Sequence, residues 1–440
     1  MIFPLPPVWF GDPRDEKVVR RIDRYEDSKH NRMLIGLHVA SDYSRLSGAL
    51  LVVSGHGKYL RALTWKSIEL ELPAPLQDSL LAIQNAETHD LLQLRAAQSE
   101  LAVQQAILVQ KLKETAGKYV DRILAVSLTE PGLWRQDFDG RQIYFPMSLP
   151  AQLAETTGLN VLDSFPEEDI ESGGSGTQLE ALPLWLLLAD RDDRAATESR
   201  VVVLVEESAQ IVFLPGSDGA ESELPDILRA GLNGFDLVHR LQQQYDGASS
   251  DTLDDRQHLQ RMVGGRANEA LLAKWRAIPK NEINSSTMWE AVSSLSGSTS
   301  FEDILRSIVV FSSEEVVAKI SQFDRSLPLG KISISGEGAY STLLLTELTN
   351  RFRTSSSTSP FLGSVDVDSI GGAGGIQAVL AGMLGFLLID QTPASLPWIT
   401  GCQTPRILGR VTKGRPVAWK QLLVEMADYQ PPAMKLREAI

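Results

Sequence analysis

The sequence predicts an α/β protein with two lobes, each a mixed sheet flanked by helices. At 440 residues the chain exceeds the size of one ordinary hydrophobic core, so two domains of typical size are expected. The order strands, helix, strand, helix, strand occurs twice along the chain. The composition, 43% hydrophobic and 22% charged, is that of a globular protein. We therefore expect two lobes with a central cleft between them.

The first half of the chain begins with three predicted strands and continues with a long predicted helix. The strand segments are MLIGLHVA from Met33, ALLVVSG from Ala49 and YLRALTW from Tyr59, and the turns between them indicate a meander. Residues 76–116 are predicted to be helical, because leucines recur there with helical spacing on one face. The strand RILAVSL, the helix LPAQLAETTG, the strand NVLDSF and the glycine-rich loop SGGSG follow.

The second half starts with another pair of predicted strands. RVVVLVEE from Arg200 and AQIVFLPG from Ala209 have the pattern of a hairpin, and the strand KISISG is predicted from Lys331. Helical spacing of apolar residues predicts the remaining elements, which cover residues 224–245, 259–278, 301–323, 341–352, 376–389 and 419–429.

These elements predict the domain boundaries and a cytoplasmic location. The first residues contain prolines and acidic groups where a signal peptide would have a basic start and an unbroken apolar run. The longest apolar stretches are shorter than the roughly 20 residues that span a bilayer. The predicted segments are an N-terminal arm at 1–30, lobe I at 31–190 plus 391–415, lobe II at 191–390 and a C-terminal helix or tail at 416–440.

Charge and cysteine content exclude several classes of partner. The chain has 42 Lys plus Arg against 56 Asp plus Glu, a net charge of -14, and no dense basic run. Nucleic acids and anionic membranes are therefore disfavoured partners, since binding them requires cations that neutralise phosphates. A single cysteine, Cys402, cannot form an intrachain disulfide, and the six histidines lack the spacing of a zinc site.

Several colinear segments carry a resemblance to a known family. They are residues 145–176, GFD from Gly234, GGRANEALLAKW from Gly264, Pro279 with Lys280, SGEGA from Ser335 and LPWITGCQTPRILG from Leu396. In this order they resemble the anhydro-N-acetylmuramic acid kinase family, which belongs to the superfamily of actin, Hsp70 and hexokinase. The resemblance covers roughly residues 33–409 and implies a two-lobed, actin-like (ribonuclease H-like) fold and a homodimer.

The resemblance also implies an activity and some of its residues. The family transfers the ATP γ-phosphate to 1,6-anhydro-N-acetylmuramic acid and opens the anhydro bridge with water, in peptidoglycan recycling. This chemistry needs Mg²⁺, donor-rich phosphate loops and a carboxylate base. Asp236, after Gly-Phe, matches the family's catalytic base, although such an Asp alone would be interpreted as a helix cap. Asp169, Gly173, Gly174 and Gly176 match the family's substrate neighbourhood.

The phosphate-binding motifs of the family are altered in this sequence. Residues 38–45 replace a Met-Ser-Gly-Thr-Ser-Leu-Asp-Gly turn and retain only Ser41 and Asp42 as candidates, of which Asp42 is expected to form local hydrogen bonds. Glu206 and Glu207 replace the two glycines of Asn-Ile-Gly-Gly. Two carboxylates ~4 Å apart repel by ~4 kcal/mol at an effective dielectric of ~20, and they would also repel a triphosphate unless Mg²⁺ bridged them.

Two further motifs have lost glycines or substrate groups. After Asp236 the family has Thr/Cys-Gly-Pro-Gly-Asn, whereas residues 237–241 carry bulky side chains, which would crowd a ligand near the backbone. Gly336 and Gly338 flank a glutamate in place of a glycine run, and SLTEPGLW, ending at Trp134, replaces the His-Gly-Gln-Thr substrate loop. The losses concentrate in loops while the apolar pattern of strands and helices is retained.

Three hypotheses follow from this pattern. The first is a catalytically weak or inactive homologue that binds a small amino-sugar ligand or a regulatory partner, and it implies no particular cofactor. The second is an active amino-sugar kinase that uses ATP and Mg²⁺, with Asp236 as base and Asp42 or Glu206 as metal ligand. The third is a scaffold in which the N-terminal arm and the helix at 90–116 form an oligomer contact.

Overall fold

The computed structural model of the chain contains two compact units, of which unit 1 is Met1–Leu188 with Ser369–Ile440 and unit 2 is Ala189–Asp368. The residues that the structure describes are 31–86, 88, 90–136, 142–189, 199–205, 209–214, 227–232, 264–279, 283, 285–295, 299–322, 329–335, 342–355, 364–367 and 375–429.

The strands are numbered in chain order. They are β1 (Arg32–Val39), β2 (Arg45–Ser54), β3 (Arg61–Glu71), β4 (Ile123–Thr129), β5 (Leu133–Gln136), β6 (Gln142–Phe145), β7 (Asn160–Asp163), β8 (Ser199–Val205), β9 (Ala209–Leu214), β10 (Leu228–Leu232), β11 (Leu329–Ser335), β12 (Ser364–Val367) and β13 (Arg410–Thr412).

The α-helices follow the same scheme. They are α1 (Ala74–Asn85), α2 (Leu91–Ala116), α3 (Pro150–Thr157), α4 (Phe165–Glu171), α5 (Ala181–Leu188), α6 (Glu269–Ala277), α7 (Ser285–Ser293), α8 (Phe301–Gln322), α9 (Thr342–Ser355), α10 (Gly375–Ile389), α11 (Pro397–Thr400) and α12 (Pro416–Asp428). No helix within the described ranges is long and apolar enough to cross a membrane.

The two units share one order of five strands, and the unit 1 sheet has the additional edge strand β13 beside β7. In unit 1 the order is β13-β7-β4-β1-β2-β3, where β1 to β3 form an antiparallel meander and β4 and β7 run parallel to β1. In unit 2 the order is β10-β9-β8-β11-β12, with the same meander and the same parallel additions. A meander followed by two strands parallel to its first strand is the actin-like, ribonuclease H-like arrangement. The predicted α/β fold class is therefore confirmed.

The core of unit 1 lies on both faces of strand β1, which is buried along nearly its whole length. Helix α2 begins after Asp90, whose carboxylate accepts a hydrogen bond from the Leu92 amide, and it buries a leucine stripe against β2. Helix α10 covers the opposite face of β1, β2 and β4. Gly36 of β1 and Gly382 of α10 allow this close approach, since a Cβ on Gly36 would lie 2.7 Å from the Gly382 nitrogen.

Unit 2 has its own hydrophobic core between its sheet and helices α6 to α9. The fully buried Trp275 of α6 is its largest side chain; its indole N–H donates to the Met288 carbonyl at 3.0 Å, and its ring lies edge-on to Phe311. Asn268 caps α6 by accepting from the amides of Ala270 and Leu271. Each of these contacts joins two of the helices or fixes a helix end.

Several elements differ from the sequence-based prediction. The helix predicted over residues 76–116 is two helices, because α1 ends at Asn85 and α2 begins at Leu91 after its Asp90 cap. The helix predicted around 224–245 is wrong at Leu228–Leu232, which forms strand β10 and pairs with β9; the remainder of that segment, apart from Ile227, lies outside the described residues. Sequence spacing also missed the β5–β6 hairpin.

The division into units also differs from the predicted lobes. The sequence-based boundaries assigned the helix at 376–389 to lobe II, whereas α10 packs on β1, β2 and β4 and belongs to unit 1. The C-terminal helix α12 contacts β4, β7 and α10 and belongs to the same unit. The difference arises because local spacing identifies a helix but does not reveal which sheet it covers.

Candidate ligand site at the carboxyl edge of the unit 1 sheet

Three parallel strands of unit 1 end at the same edge of the sheet. Strands β1, β4 and β7 run in one direction, and β1 and β4 are aligned so that His38 lies opposite Thr129. The β1–β2 turn, Glu130 after β4, and Asp163 at the end of β7 with Ser164 after it lie at this edge. In α/β sheets, ligands bind outside the carboxyl ends of parallel strands, so this edge is the candidate site.

The β1–β2 turn is closed by hydrogen bonds among its own groups. The Ala40 amide donates to the Arg45 carbonyl at 3.0 Å, and the Tyr43 amide donates to the Ala40 carbonyl at 3.0 Å. The Asp42 carboxylate accepts from the Ser44 amide at 2.9 Å and from the Ser44 hydroxyl at 2.7 Å. Tyr43 has a left-handed backbone with φ 54. The Asp42 oxygen Oδ1 is therefore engaged within the turn, as the sequence indicated.

Glu130 lies at the centre of the edge and is held in one orientation. Its two carboxylate oxygens accept from the Ser148 amide at 3.1 Å and the Ser148 hydroxyl at 2.8 Å. The buried Gln105 side chain donates to the same hydroxyl at 2.7 Å, which fixes Ser148 in turn. Burial raises the pKa of Glu130 to about 7; the Ser148 hydrogen bonds oppose the rise and the Asp163 carboxylate adds to it.

Asp163, the last residue of β7, is buried beside Glu130. Its oxygen Oδ2 accepts from the Arg410 guanidinium at 2.7 Å and from the Ser164 hydroxyl at 2.8 Å. Its other oxygen, Oδ1, is buried and has no hydrogen-bond partner among the residues that the structure describes. Arg410 also lies 4.0 Å from the Glu167 carboxylate, so its charge is shared by two acidic groups. Buried acceptors without partners are uncommon and often belong to functional sites.

Aromatic side chains surround these carboxylates. The Tyr43 ring is fully buried, and within the described part of the chain its hydroxyl has no hydrogen-bond partner. Burial and the Glu130 charge raise the pKa of Tyr43 well above its usual range. Tyr144 packs edge-on to Trp134 with ring centroids 5.0 Å apart. Gly132 is required there, because it has φ 62 and a Cβ would lie 2.1 Å from the Tyr144 ring.

The glycine-rich loop after α4 is organised by Asp169. Asp169 is fully buried, and its carboxylate accepts from the Gly176 amide and from the Thr400 hydroxyl, each at 2.8 Å. A Cβ on Gly174 would lie 2.1 Å from the Asp169 carboxylate. Gly173 and Gly176 have φ 88 and 68, which glycine adopts without strain. The Asp169 carboxylate therefore joins the glycine-rich loop, through the Gly176 amide, to helix α11, through the Thr400 hydroxyl.

The sequence-predicted residues divide into two sets. Ser41, which is exposed, and Asp42 lie in the β1–β2 turn, whereas Asp169, Gly173, Gly174 and Gly176 form the separate loop after α4. Asp236, Glu206, Glu207, Gly336 and Gly338 lie outside the described residues. Among the residues that are described, no group of three or more His, Cys, Asp or Glu side chains is placed to hold a metal ion.

Sequence analysis missed the residues that lie at the sheet edge itself. Glu130 carries a signal that was available, since it is a carboxylate directly after a predicted buried strand within SLTEPGLW. Tyr43, Asp163 and Tyr144 carry no comparable signal, because their proximity to Glu130 depends on the pairing of distant strands.

The titration of Glu130 predicts how stability depends on pH. The folded protein keeps the Glu130 proton up to about pH 7, whereas the unfolded chain releases it near 4.5. The contribution to the free energy of unfolding is thus full below pH 4.5 and is lost as the pH rises through 7. For the wild type relative to Glu130→Gln, we expect this loss to be on the order of 2 kcal/mol. Urea unfolding of both proteins across this range measures it, and parallel pH profiles would contradict it.

The strand order shared by the two sheets defines a protein with an actin-like, ribonuclease H-like fold. A model of the anhydro-N-acetylmuramic acid kinase family matches residues 279–414. The protein of that name from Cupriavidus metallidurans is 22% identical over 409 residues, with 87% of this chain and 97% of the relative covered. The Bordetella avium protein of the same name is 22% identical over 385 residues and is 95% covered. Over most of its length the chain is therefore similar, at low identity, to proteins named anhydro-N-acetylmuramic acid kinase.

The comparison with solved structures gives lower identities than the comparison with sequences. A ROK family glucokinase from Streptomyces griseus, in complex with glucose and AMPPNP, is 13% identical with a TM-score of 0.36, and 80% of this chain and 98% of that chain are covered. The activator of the 2-hydroxyisocaproyl-CoA dehydratase from Clostridium difficile is 11% identical with a TM-score of 0.37, covering 80% and 92% of the two chains.

Proposed function

We propose that this protein is a divergent relative of the anhydro-N-acetylmuramic acid kinases that acts by binding a small amino-sugar ligand or a partner, and that its kinase activity is weak or absent. The β1–β2 turn carries the proposal. A phosphate-binding turn needs main-chain N–H groups that are free to donate to the phosphate oxygens. Here the amides of Ala40, Tyr43 and Ser44 each donate to an acceptor within the turn, so they cannot bind a phosphate without losing those bonds.

The charge of the sheet edge supports the same proposal. Glu130 and Asp163 lie close enough for the Asp163 charge to raise the Glu130 pKa, and Glu167 lies near the Arg410 that pairs with Asp163. A triphosphate carries several negative charges, and carboxylates near its binding position repel it. An edge of this kind favours an uncharged or cationic ligand over a nucleotide.

Nucleotide titration tests the proposal directly. We expect no thermal stabilisation by Mg-ATP at millimolar concentration, because a ligand stabilises the fold only when its concentration approaches its Kd. The Cupriavidus metallidurans relative, titrated in parallel, is the positive control. Incubation with Mg-ATP and 1,6-anhydro-N-acetylmuramic acid is expected to yield no sugar 6-phosphate.

The alternative, an active amino-sugar kinase that uses ATP and Mg²⁺, predicts the opposite result. In that case Mg-ATP would stabilise the protein, sugar 6-phosphate would accumulate, and Asp236→Asn would abolish its formation. That outcome would overturn the proposal. A homodimer and a cytoplasmic location are further parts of the proposal, and light scattering of the purified chain tests the first.

A further inference from the structure

We propose that the exposed face of helix α12 is a docking surface for the apolar segment at residues 2–10 of the same chain. Helix α12 lies beyond residues 279–414, which the family model matches, and the apolar segment precedes the residues that carry the family resemblance. The inference therefore concerns parts of the chain outside the kinase-like region, and it goes beyond the proposed function without depending on it.

Helix α12 carries apolar side chains on the face where a surface helix ordinarily carries polar ones. The helix contacts β4, β7 and α10, and its Leu422 is completely buried. Val417, Leu423 and Val424 are instead 78%, 44% and 58% exposed. Val417 and Val424 are two helical turns apart and so lie on one side of the helix, with the exposed Lys420 between them. We call these four exposed residues the α12 face.

The segment at residues 2–10 has a composition that favours burial. Its sequence, IFPLPPVWF, contains no charged residue and six large apolar ones. Removing such side chains from water gains about 25 cal/mol for each Å² of apolar surface. The three prolines restrict φ, so the segment loses less conformational entropy when it is ordered on a surface. A short apolar surface within reach would therefore attract this segment.

The N-terminal arm joins unit 1 beside the end of α12. Arg32, at the start of β1, donates to the Asp390 carboxylate at 3.1 Å, and the same carboxylate accepts from the Gly57 amide at 2.7 Å. Tyr429, directly after α12, stacks on the His56 ring with centroids 4.8 Å apart. The turn that contains His56 and Gly57 therefore contacts the start of β1 on one side and the end of α12 on the other.

The chain between the apolar segment and β1 is long enough to reach the α12 face. Residues 11–30 would span about 30 Å as a helix and about 65 Å when extended. Helix α12 has 13 residues and is about 20 Å long. The α12 face is therefore within reach of the segment in either case.

Covalent linkage favours the chain's own segment over other occupants. A tethered segment has an effective concentration on the order of millimolar, so weak apolar contacts are enough to hold it. A stable dimer buries roughly 800 Å² on each partner, which is more than the exposed side chains of one short helix provide. Charge also favours the segment, because Asp12, Asp15 and Glu16 follow it and Lys420 on the α12 face would attract them.

Disulfide formation between two introduced cysteines tests the inference in the full-length protein. Gly11→Cys places one cysteine directly after the segment, and Lys420→Cys places the other on the α12 face. The matched control uses Lys111→Cys instead, an exposed lysine of α2, which also ends near the start of β1 because β4 follows it and Ile123 pairs with Met33. We expect the disulfide to form about tenfold faster with Lys420→Cys than with Lys111→Cys.

Further variants connect the docking to apolar contact. In the protein that carries both cysteines, Val424→Asp is expected to slow disulfide formation about tenfold, because docking would then desolvate a charge. Val103→Asp on α2, where the valine is 43% exposed, is the matched control and should leave the rate unchanged. Trp9→Asp makes the corresponding change in the segment and decides the question if Val424→Asp does not fold. The native Cys402 is buried and stays in place.

Three results would refute the docking. Equal rates for Lys420→Cys and Lys111→Cys would show that the segment does not prefer the α12 face. An unchanged rate in Trp9→Asp would show that apolar contact does not hold the segment. Disulfides between chains, formed at a rate that rises with protein concentration, would assign the α12 face to a second copy. None of these results depends on nucleotide binding, so the docking and the proposed function can fail separately.

Discussion

Replacing Asp390 by alanine is expected to lower the free energy of unfolding by about 3–5 kcal/mol. Asp390 follows α10 and pairs with Arg32 at the start of β1, with the two side chains 0% and 4% exposed. The same carboxylate accepts from the Gly57 amide at 2.7 Å and lies 3.3 Å from His56. Alanine would leave the buried Arg32 guanidinium without its counter-charge, which is more costly than losing one ordinary hydrogen bond.

Urea unfolding of the full-length protein, followed by tryptophan fluorescence, measures this loss of stability. Asp428→Ala is the matched control, because Asp428 is an exposed carboxylate at the end of α12 and its removal should change stability by less than about 0.5 kcal/mol. Asp390→Asn retains acceptor and shape but loses the charge, so an intermediate effect is expected. If Asp390→Ala unfolded at the same urea concentration as Asp428→Ala, the ion pair would not stabilise the fold.

Replacing Gly36 by alanine is expected to cost about 3 kcal/mol or more. Gly36 lies in the middle of β1 where α10 crosses it, and an added Cβ would meet backbone atoms of that helix rather than a flexible side chain. The Gly382 nitrogen would be 2.7 Å away and the Ala378 carbonyl oxygen 1.9 Å away. Since neither can rotate aside, α10 would have to move off the sheet and lose part of its buried contacts.

The control for this substitution is Gly264→Ala in unit 2. No atom lies within 4 Å of a Cβ built at Gly264, so its melting temperature should stay close to that of the wild type. The two variants receive the same methyl group, which separates overpacking from any general effect of replacing glycine. A Gly36→Ala protein that melted at the wild-type temperature would rule out the close contact between β1 and α10.

The sequence predicts most of the fold because the strands of unit 1 have clear apolar runs. Strands β1, β4 and β7 follow the predicted segments closely, and the long helices α8 and α10 begin and end within a few residues of their predicted bounds. Strand β10 was predicted as part of a helix because Ile227, Leu228 and Leu232 have spacing compatible with one helix face. Its pairing with β9 overrides this local preference.

The candidate site is less predictable from the sequence than the fold is. Asp169 was predicted as a substrate group, and its carboxylate accepts hydrogen bonds from Gly176 and from Thr400, which lies 231 residues away. The pairing of Asp163 with Arg410 similarly joins residues 247 apart. Such contacts determine which carboxylate oxygens accept hydrogen bonds from distant residues and which do not. No local sequence pattern reveals these contacts.

Unit 1 is assembled from the two ends of the chain, and this has a consequence for biosynthesis. The Arg32–Asp390 pair joins residues 358 positions apart, and α10 covers a sheet whose first strand precedes it by more than 300 residues. During synthesis on the ribosome, the face of β1 that packs against α10 therefore remains uncovered until α10 has emerged. The contacts between α10 and the sheet join residues that are far apart in the sequence, which slows folding. Chaperones therefore have a long interval in which to bind the nascent sheet.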